Sequence, residues 1–326
     1  MKNKLFYLLR ILTCNYYPFR SKRNTLLVLM FHQVNDKNSL FYSAMPVQVF
    51  KELLEFVDKY YEVIHFSEID NYYSGRNKKP AAIISFDDGN FDIIENAYPI
   101  LNKLNLKFNI NIDTEILETG KSQDFVRAYD ILNETKIDSF MNPKFMDKPI
   151  EINKKNPIET EFEFTELLSN LTTKKRRDFI DEMATITVMD AHFFSKVLSK
   201  EDLRKLSESP LVEIGSHSHS HSILTKIPVE QVVYELKHSK EILEEITGKK
   251  IDVIAYPNGV FNKEIDELAK ELGYKFILKT NDKINLIAQS SLENRCFERV
   301  NQYHRSTEMA LAHTYGVIKF IKRFSR

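Results

Sequence analysis

Ala81-Ala82-Ile83-Ile84-Ser85-Phe86-Asp87-Asp88-Gly89 is an apolar run that stops abruptly at two adjacent carboxylates and a glycine. Ala81 to Phe86 reads as a strand buried on both faces, the pattern of a parallel sheet in an α/β protein, so the carboxylates fall where strand gives way to loop. Ligands bind at such strand ends. Two neighbouring carboxylates in one confined site push each other's pKa values apart unless a cation neutralises one of them. The pair therefore points to a metal ligand beside a base, and Gly89 lets the backbone turn sharply behind them. The competing reading is a helix N-terminus, where acidic residues suit the dipole and lead into the apolar positions between Phe91 and Leu104.

Strands and helices alternate outward from this point. Upstream, Thr25 to Phe31 (TLLVLMF) is an apolar strand ending at His32, followed by a helix from Val47 to Tyr60 and a short strand from Glu62 to Phe66. Downstream, Ile93, Ala97, Ile100 and Leu101 mark a helix before the strand Lys107 to Ile112. From Ser122 to Ser207 the pattern loosens around a break at Asn153 to Pro157, and a helical insertion is expected there. Ser199 and Asp202 carry the spacing of a capping box. Alternation resumes with a strand at Leu211 to Ile214, a helix from Pro228 to Thr247 closed by Gly248, and a strand at Asp252 to Tyr256. The helix Lys263 to Leu272 and strands at Tyr274 to Leu278 and Cys296 to Val300 complete the count. About eight candidate strands are enough to close an α/β barrel.

Composition narrows the function classes. Lys plus Arg and Asp plus Glu each number 46, so no global field would gather nucleic acid, which is not an expected partner. Cys14 and Cys296 form no disulfide framework and neither looks catalytic. Trp is absent, but 15 Tyr and 23 Phe supply aromatic surface of the kind a sugar site stacks against. The apolar stretch Leu5 to Thr13 is too short to span a bilayer, is interrupted by Arg10 and lacks a cleavage site. Leu5, Leu8, Leu9 and Leu12 sit at helical spacing among basic residues, and the C-terminus pairs Val317, Ile318, Ile321 and Phe324 with Lys and Arg. Two readings stand for these termini: helices packed on the core with solvated basic faces, or peripheral contact with an anionic membrane. The expected organisation is a basic segment over 1–24, one catalytic domain over 25–305 with its insertion at about 122–207, and a basic C-terminal helix over 306–326. The expected location is the cytoplasm, or the inner face of the membrane.

The second informative stretch is Glu213-Ile214-Gly215-Ser216-His217-Ser218-His219-Ser220-His221. On a helical turn His217 and His221 would meet on one face, whereas in an extended strand His217, His219 and His221 would all point one way. With Asp88 the helical-turn reading gives an Asp, His, His site with coordination positions left open, as a catalytic zinc needs. A polar solvated loop is the alternative.

Ser85 to Gly89, His217-Ser218 with His221, and Ala255-Tyr256-Pro257-Asn258-Gly259, in that order and spacing, resemble the polysaccharide deacetylases that share the NodB homology domain, carbohydrate esterase family 4. The resemblance extends from about Leu26 to Val300 and implies a distorted (β/α)7 barrel. It implies metal-assisted removal of an acetyl group from an N-acetylated or O-acetylated sugar. By resemblance, Asp87 is the general base, and Asp88, His217 and His221 bind a divalent metal, usually zinc. Ser218 matches the hydroxyl position that steadies the His loop. The backbone N–H of Asn258, after Pro257, matches the oxyanion donor, with Tyr256 in support.

The chain departs from the pattern at Ala255, where many members carry an arginine that orients the catalytic Asp. It is similar there to the branch of poly-N-acetylglucosamine deacetylases, in which the general acid moves to the first strand as Tyr-His or Phe-His. Phe31-His32 fits, so His32 is the expected acid ahead of His304 or His313, and Arg299 is a candidate to hold Asp87, with packing or a surface salt bridge as its alternatives. The implied substrate is an N-acetylated glycan of a surface polysaccharide or a lipid- or nucleotide-linked sugar precursor. Hydrolysis of another amide or imide is an alternative, and so is a carbohydrate-binding protein that has lost turnover.

Overall fold

The computed structural model describes residues 24–37, 39–42, 44–75, 79–187, 194–287, 293 and 295–315. Its strands are β1 (Thr25–Phe31), β2 (Glu62–Val63), β3 (Ala81–Phe86), β4 (Phe108–Ile112), β5 (Ser139–Phe140), β6 (Ile150–Glu151), β7 (Val212–Ser216), β8 (Val253–Ala255), β9 (Phe276–Thr280), β10 (Asn285–Leu286) and β11 (Cys296–Asn301). Seven of them, in the order β1-β11-β9-β8-β7-β4-β3, pair in parallel, and β3 returns to β1 along its whole length to close a barrel. Two short strands distort it. β2 pairs with Ala81 and Ala82 where β4 reaches only Ser85 and Phe86, and β10 runs antiparallel to Thr25 and Leu26 where β11 takes Leu29 and Met30. Both wedges open the N-terminal rim of the barrel and leave the C-terminal rim, where the carboxylates lie, closed.

Period-two alternation sorts the strand residues into two sets. Leu26, Val28, Ala81, Ile83, Val253, Ala255, Phe276, Leu278 and Phe297 form one apolar cluster. Leu27, Leu29, Phe31, Ala82, Ile84 and Phe86 pack instead with residues of the surrounding helices, such as Phe50 and Leu54 of Val47–Tyr60 and Val232 and Leu236 of Val229–Thr247. Two residues further along the first set come Ser85, Thr280 and Arg299, and two beyond Ser85 comes Asp87. Apolar residues thus plug the barrel below, and a polar layer sits above them at the C-terminal ends. Burial of both faces is why β1 and β3 read as largely apolar runs, while Asn109 and Asn111 bring polar side chains into buried β4.

The insertion has its own core. Phe125, Ile131 and Leu132 of helix Asp124–Glu134, Phe164 and Leu168 of Pro157–Asn170, and Phe179 and Ile180 of Thr173–Ile186 pack together beside the β5–β6 ribbon, and Phe41 joins them from the segment after β1. Ser199 and Asp202 make the reciprocal capping-box bonds and open the helix Lys200–Glu208. That helix places Leu203 and Leu206 in the barrel core rather than in the insertion. Residues 1–23 and 316–326, with Cys14 and the basic segments read as possible membrane contacts, lie outside the described residues, as does His192. Among the described residues no helix is long and apolar enough to cross a membrane.

Candidate metal centre and active site

The turn after β3 parts the two carboxylates. Asp88 and Gly89 have φ of +70° and +67°, a left-handed pair that a non-glycine residue adopts only under constraint. A Cβ on Gly89 would come within 2.6 Å of Ile116 Cδ1, so the turn is also packed tightly from behind. Asp87 is buried, and its Oδ1 accepts hydrogen bonds from Arg299 Nη1 at 2.7 Å and Asn111 Nδ2 at 2.8 Å. Burial pushes the Asp87 carboxyl up, but Arg299 foremost, then His217 and His32, outweigh it and hold the group well below the usual carboxylate range. The Asp87 carboxyl is therefore ionised at neutral pH. Asn111 reaches it because Gly215 stands opposite in the β4–β7 ladder, where a Cβ would collide with Asn111 Oδ1.

Asp88 faces the histidines. Its Oδ1 lies 3.5 Å from His217 Nε2 and 3.7 Å from His221 Nε2, and the ligand atoms of the three residues all fall within 4.8 Å of one another. His217 Nδ1 donates to the Ala255 carbonyl at 2.8 Å, which fixes the tautomer and turns the Nε2 lone pair toward Asp88. Burial, then the neighbouring His217, lower the His221 pKa to about 3, so this imidazole is neutral as a metal ligand must be. Among the described residues Asp88 Oδ1 has no hydrogen-bond partner, although it is buried. A buried carboxylate oxygen with no donor, facing two imidazole nitrogens, is costly unless a cation compensates it. Two nitrogens and one oxygen suit a divalent ion such as zinc, and the residues fit that group.

The loop that brings the histidines together is neither a helical turn nor a strand. Ser218 and His221 have φ of +68° and +52°, and these two reversals let residues four apart converge while His219 turns away to Thr114 Oγ1 at 2.9 Å. The Ser218 hydroxyl, expected to steady this loop, is buried with no hydrogen-bond partner among the described residues. Ser216 Oγ accepts the Ser218 N–H at 3.1 Å instead, and the Glu235 carboxylate accepts the N–H groups of His219 at 2.9 Å and Ser220 at 2.8 Å.

A cavity of about 720 Å³ opens over these groups and is lined by Asp87, Asp88, His217, His221, Tyr256, Asn258 and Arg299, among others. His32 lines it too, its ring edge-on to Tyr42 with centroids 5.8 Å apart. His304 and His313 do not line it; they bond to each other at 2.7 Å, with His313 beside Asp282 at 3.3 Å. Asn258 has φ of +55° in the turn Pro257–Gly259, whose hydrogen bonds run from the Gly259 and Val260 N–H groups to Tyr256 and Pro257. Gln123, Phe125, Tyr129 and Glu161 of the insertion form one wall, and Tyr303 and Tyr42 add aromatic surface. Sequence reasoning missed Asn111, Glu235, Tyr42 and Gln123. The alternation Asn109-Ile110-Asn111 within an otherwise apolar strand was a readable sign of the polar layer, whereas nothing local marks the other three.

The family model for polysaccharide deacetylase matches residues 74–277 of the chain, more than half its length. Among curated proteins, the peptidoglycan-N-acetylmuramic acid deacetylase PdaC of Bacillus subtilis is 32% identical over 53 residues, which is 16% of this chain and 11% of PdaC. The uncharacterized protein YlxY of the same organism is 29% identical over 91 residues, 27% of this chain and 28% of YlxY. The matched stretches thus span well under half the length of either curated relative. Among solved structures, the Streptococcus pyogenes deacetylase PplD in complex with acetate is similar with a TM-score of 0.59 at 16% identity, over 90% of this chain and 99% of that one. IcaB from Ammonifex degensii gives 0.56 at 15% identity, over 89% and 97%. These likenesses are of fold. With the family model spanning the barrel from before β3 to the start of β9 and covering all three motifs, the chain belongs to the polysaccharide deacetylase family.

Proposed function

We propose that this protein is a metal-dependent deacetylase that removes the acetyl group from an N-acetylated sugar of a surface polysaccharide or of its precursor. The observation that carries the proposal is the division of labour between neighbours: Asp87 is ionised and held by Arg299, while Asp88 Oδ1 faces His217 and His221 without a donor. A divalent ion held by Asp88, His217 and His221 would polarise a carbonyl and lower the pKa of water. Asp87 takes the proton of the attacking water as the new C–O bond forms. The Asn258 backbone N–H donates to the oxyanion that develops on the acetyl carbonyl. As the C–N bond breaks, His32 gives its proton to the departing amine, releasing acetate. His32 is favoured over His304 and His313 because it lines the cavity and they do not. Tyr42, Tyr129 and Tyr303 offer rings for stacking a sugar.

Family membership supports the reaction class and a polysaccharide-type substrate, and the match to a peptidoglycan-N-acetylmuramic acid deacetylase supports an N-acetylated sugar. A binding protein without turnover would not need the base to be ionised and oriented, and Arg299 supplies the orientation that Ala255 cannot. The test is acetate release from a panel of N-acetylglucosamine oligomers and precursor sugars, before chelation, after it, and after zinc is returned. Release that follows the metal supports the proposal. Zinc-loaded protein that releases acetate from none of these sugars points to another amide substrate.

A further inference from the structure

Asp88 is gripped from the side opposite the histidines. Its Oδ2 accepts a hydrogen bond from the Tyr42 hydroxyl at 3.1 Å and from Gln123 Nε2 at 3.4 Å, while Oδ1 alone is turned to His217 and His221. Tyr42 stands in the left-handed region with φ of +53°, a conformation that a bulky aromatic residue holds only where its surroundings enforce it. The insertion enforces it. Asn133 Oδ1 accepts the N–H groups of Leu40 and Phe41 at 2.9 and 3.0 Å, and Asn133 Nδ2 donates to the Phe41 carbonyl at 3.1 Å. The Tyr42 ring stacks on Tyr129 with centroids 5.5 Å apart and planes 8° from parallel, and its N–H points to Glu161 Oε1 at 3.4 Å. Phe41 is wholly buried in the insertion's core.

We infer that Tyr42 is a positioning residue for the metal centre: its hydroxyl, seconded by Gln123, occupies Asp88 Oδ2 so that Oδ1 is presented as a single ligand atom. The segment carrying Tyr42 is clamped for this purpose by the insertion, which therefore tunes the metal site as well as walling the cavity. Partners that fix a ligating carboxylate typically change metal affinity or activity 10–100-fold when removed. The inference rests on the reading of Asp88, His217 and His221 as the ligands.

The test is a zinc titration of chelator-stripped full-length protein against a chromophoric competitor, with the cobalt(II) visible spectrum and the melting temperature of the metal-free protein recorded alongside. Tyr42→Phe removes one hydroxyl and is expected to weaken zinc binding about 10–100-fold and shift the cobalt bands, with the metal-free melting temperature near that of the wild type. Asn133→Ala, which touches only the backbone of the clamped segment, is expected to weaken zinc in the same direction by a smaller factor, and carries the test if Tyr42→Phe does not fold. Zinc affinity within twofold of wild type in both variants, with unchanged cobalt bands, overturns the inference. Wild-type protein that binds neither zinc nor cobalt overturns instead the ligand reading on which it rests.

Discussion

Arg299 Nη1 lies 2.7 Å from Asp87 Oδ1 with both residues about 1% exposed, so the Asp87 carboxylate is held by an ion pair almost excluded from water. The arginine comes from β11, two positions beyond the interior residue Phe297, and Thr280 Oγ1 accepts from its Nη2 at 3.4 Å. Removing one partner of such a pair strands the other charge, at a cost of about 3–5 kcal/mol. Arg299→Met is expected to lose that much at pH 7 in urea unfolding. The pH dependence should also change sign. In the wild type the Asp87 pKa is depressed, so its contribution is present above the unfolded carboxylate pKa and lost as pH falls through the lower folded value. In Arg299→Met burial dominates, the folded pKa rises, and this group's contribution falls as pH increases. Equal stability and an unchanged pH slope would show that the pair does not hold Asp87.

His221 gives a second pH signature, visible in metal-free protein. Its folded pKa of about 3 lies below the ordinary histidine value, so the unfolded chain binds the proton that the folded one refuses. Stability from this group is complete above the unfolded pKa and drains away as pH falls toward the folded one, at up to about 1.4 kcal/mol per pH unit. Urea unfolding in chelator between pH 4 and 7 should show a shallower slope in His221→Asn than in the wild type. Identical slopes would mean that the imidazole is not neutral in the fold.

Glu235 holds the His loop from beneath. Its carboxylate accepts two backbone N–H groups and the Ser220 hydroxyl. Glu235→Ala leaves three part-buried donors unpaired, and a loss of about 1–3 kcal/mol is expected from that alone. Zinc affinity should fall as well, since His217 and His221 flank the loop. A variant with wild-type stability and zinc affinity would assign the loop's shape to something other than Glu235.

Gly215 acts on the base at one remove. A Cβ there would collide with Asn111 Oδ1 and come within 3.1 Å of Val253 Cβ. Gly215→Ala is expected to displace the Asn111 amide from Asp87, lowering acetate release while leaving zinc binding within about twofold, because none of the three ligands is touched. Zinc affinity that falls in parallel with acetate release would place the damage at the metal centre instead.

The barrel was legible because its strands are buried on both faces: β1 and β3 stand out as apolar runs, ended by His32 and by Asp87-Asp88, and β7 runs into His217. Asp88, His217 and His221 could be grouped from spacing and resemblance, and Arg299 from the gap left by Ala255. The loop that joins the histidines could not be read, because Ser218 and His221 reach their positions through left-handed backbone that no residue type there announces. Glu235 was hidden because a helical residue that caps a distant loop looks like any exposed glutamate. Phe41 and Asn133 are 92 residues apart in sequence and meet only because the insertion folds back over the segment after β1, which carries Tyr42. β10 and the β5–β6 ribbon, two residues per strand, are too short to give a periodic signal.

The measurement that bears most directly on the central claim joins zinc content to acetate release in Asp87→Asn. The substitution keeps the shape of the side chain and an oxygen for Arg299, and it removes the negative charge together with the capacity to take a proton. One zinc per chain is expected, as in the wild type, with acetate release from N-acetylglucosamine oligomers lower by about 10²–10⁴-fold. Asp87→Asn that binds zinc and releases acetate at the wild-type rate would contradict the assignment of Asp87 as the base.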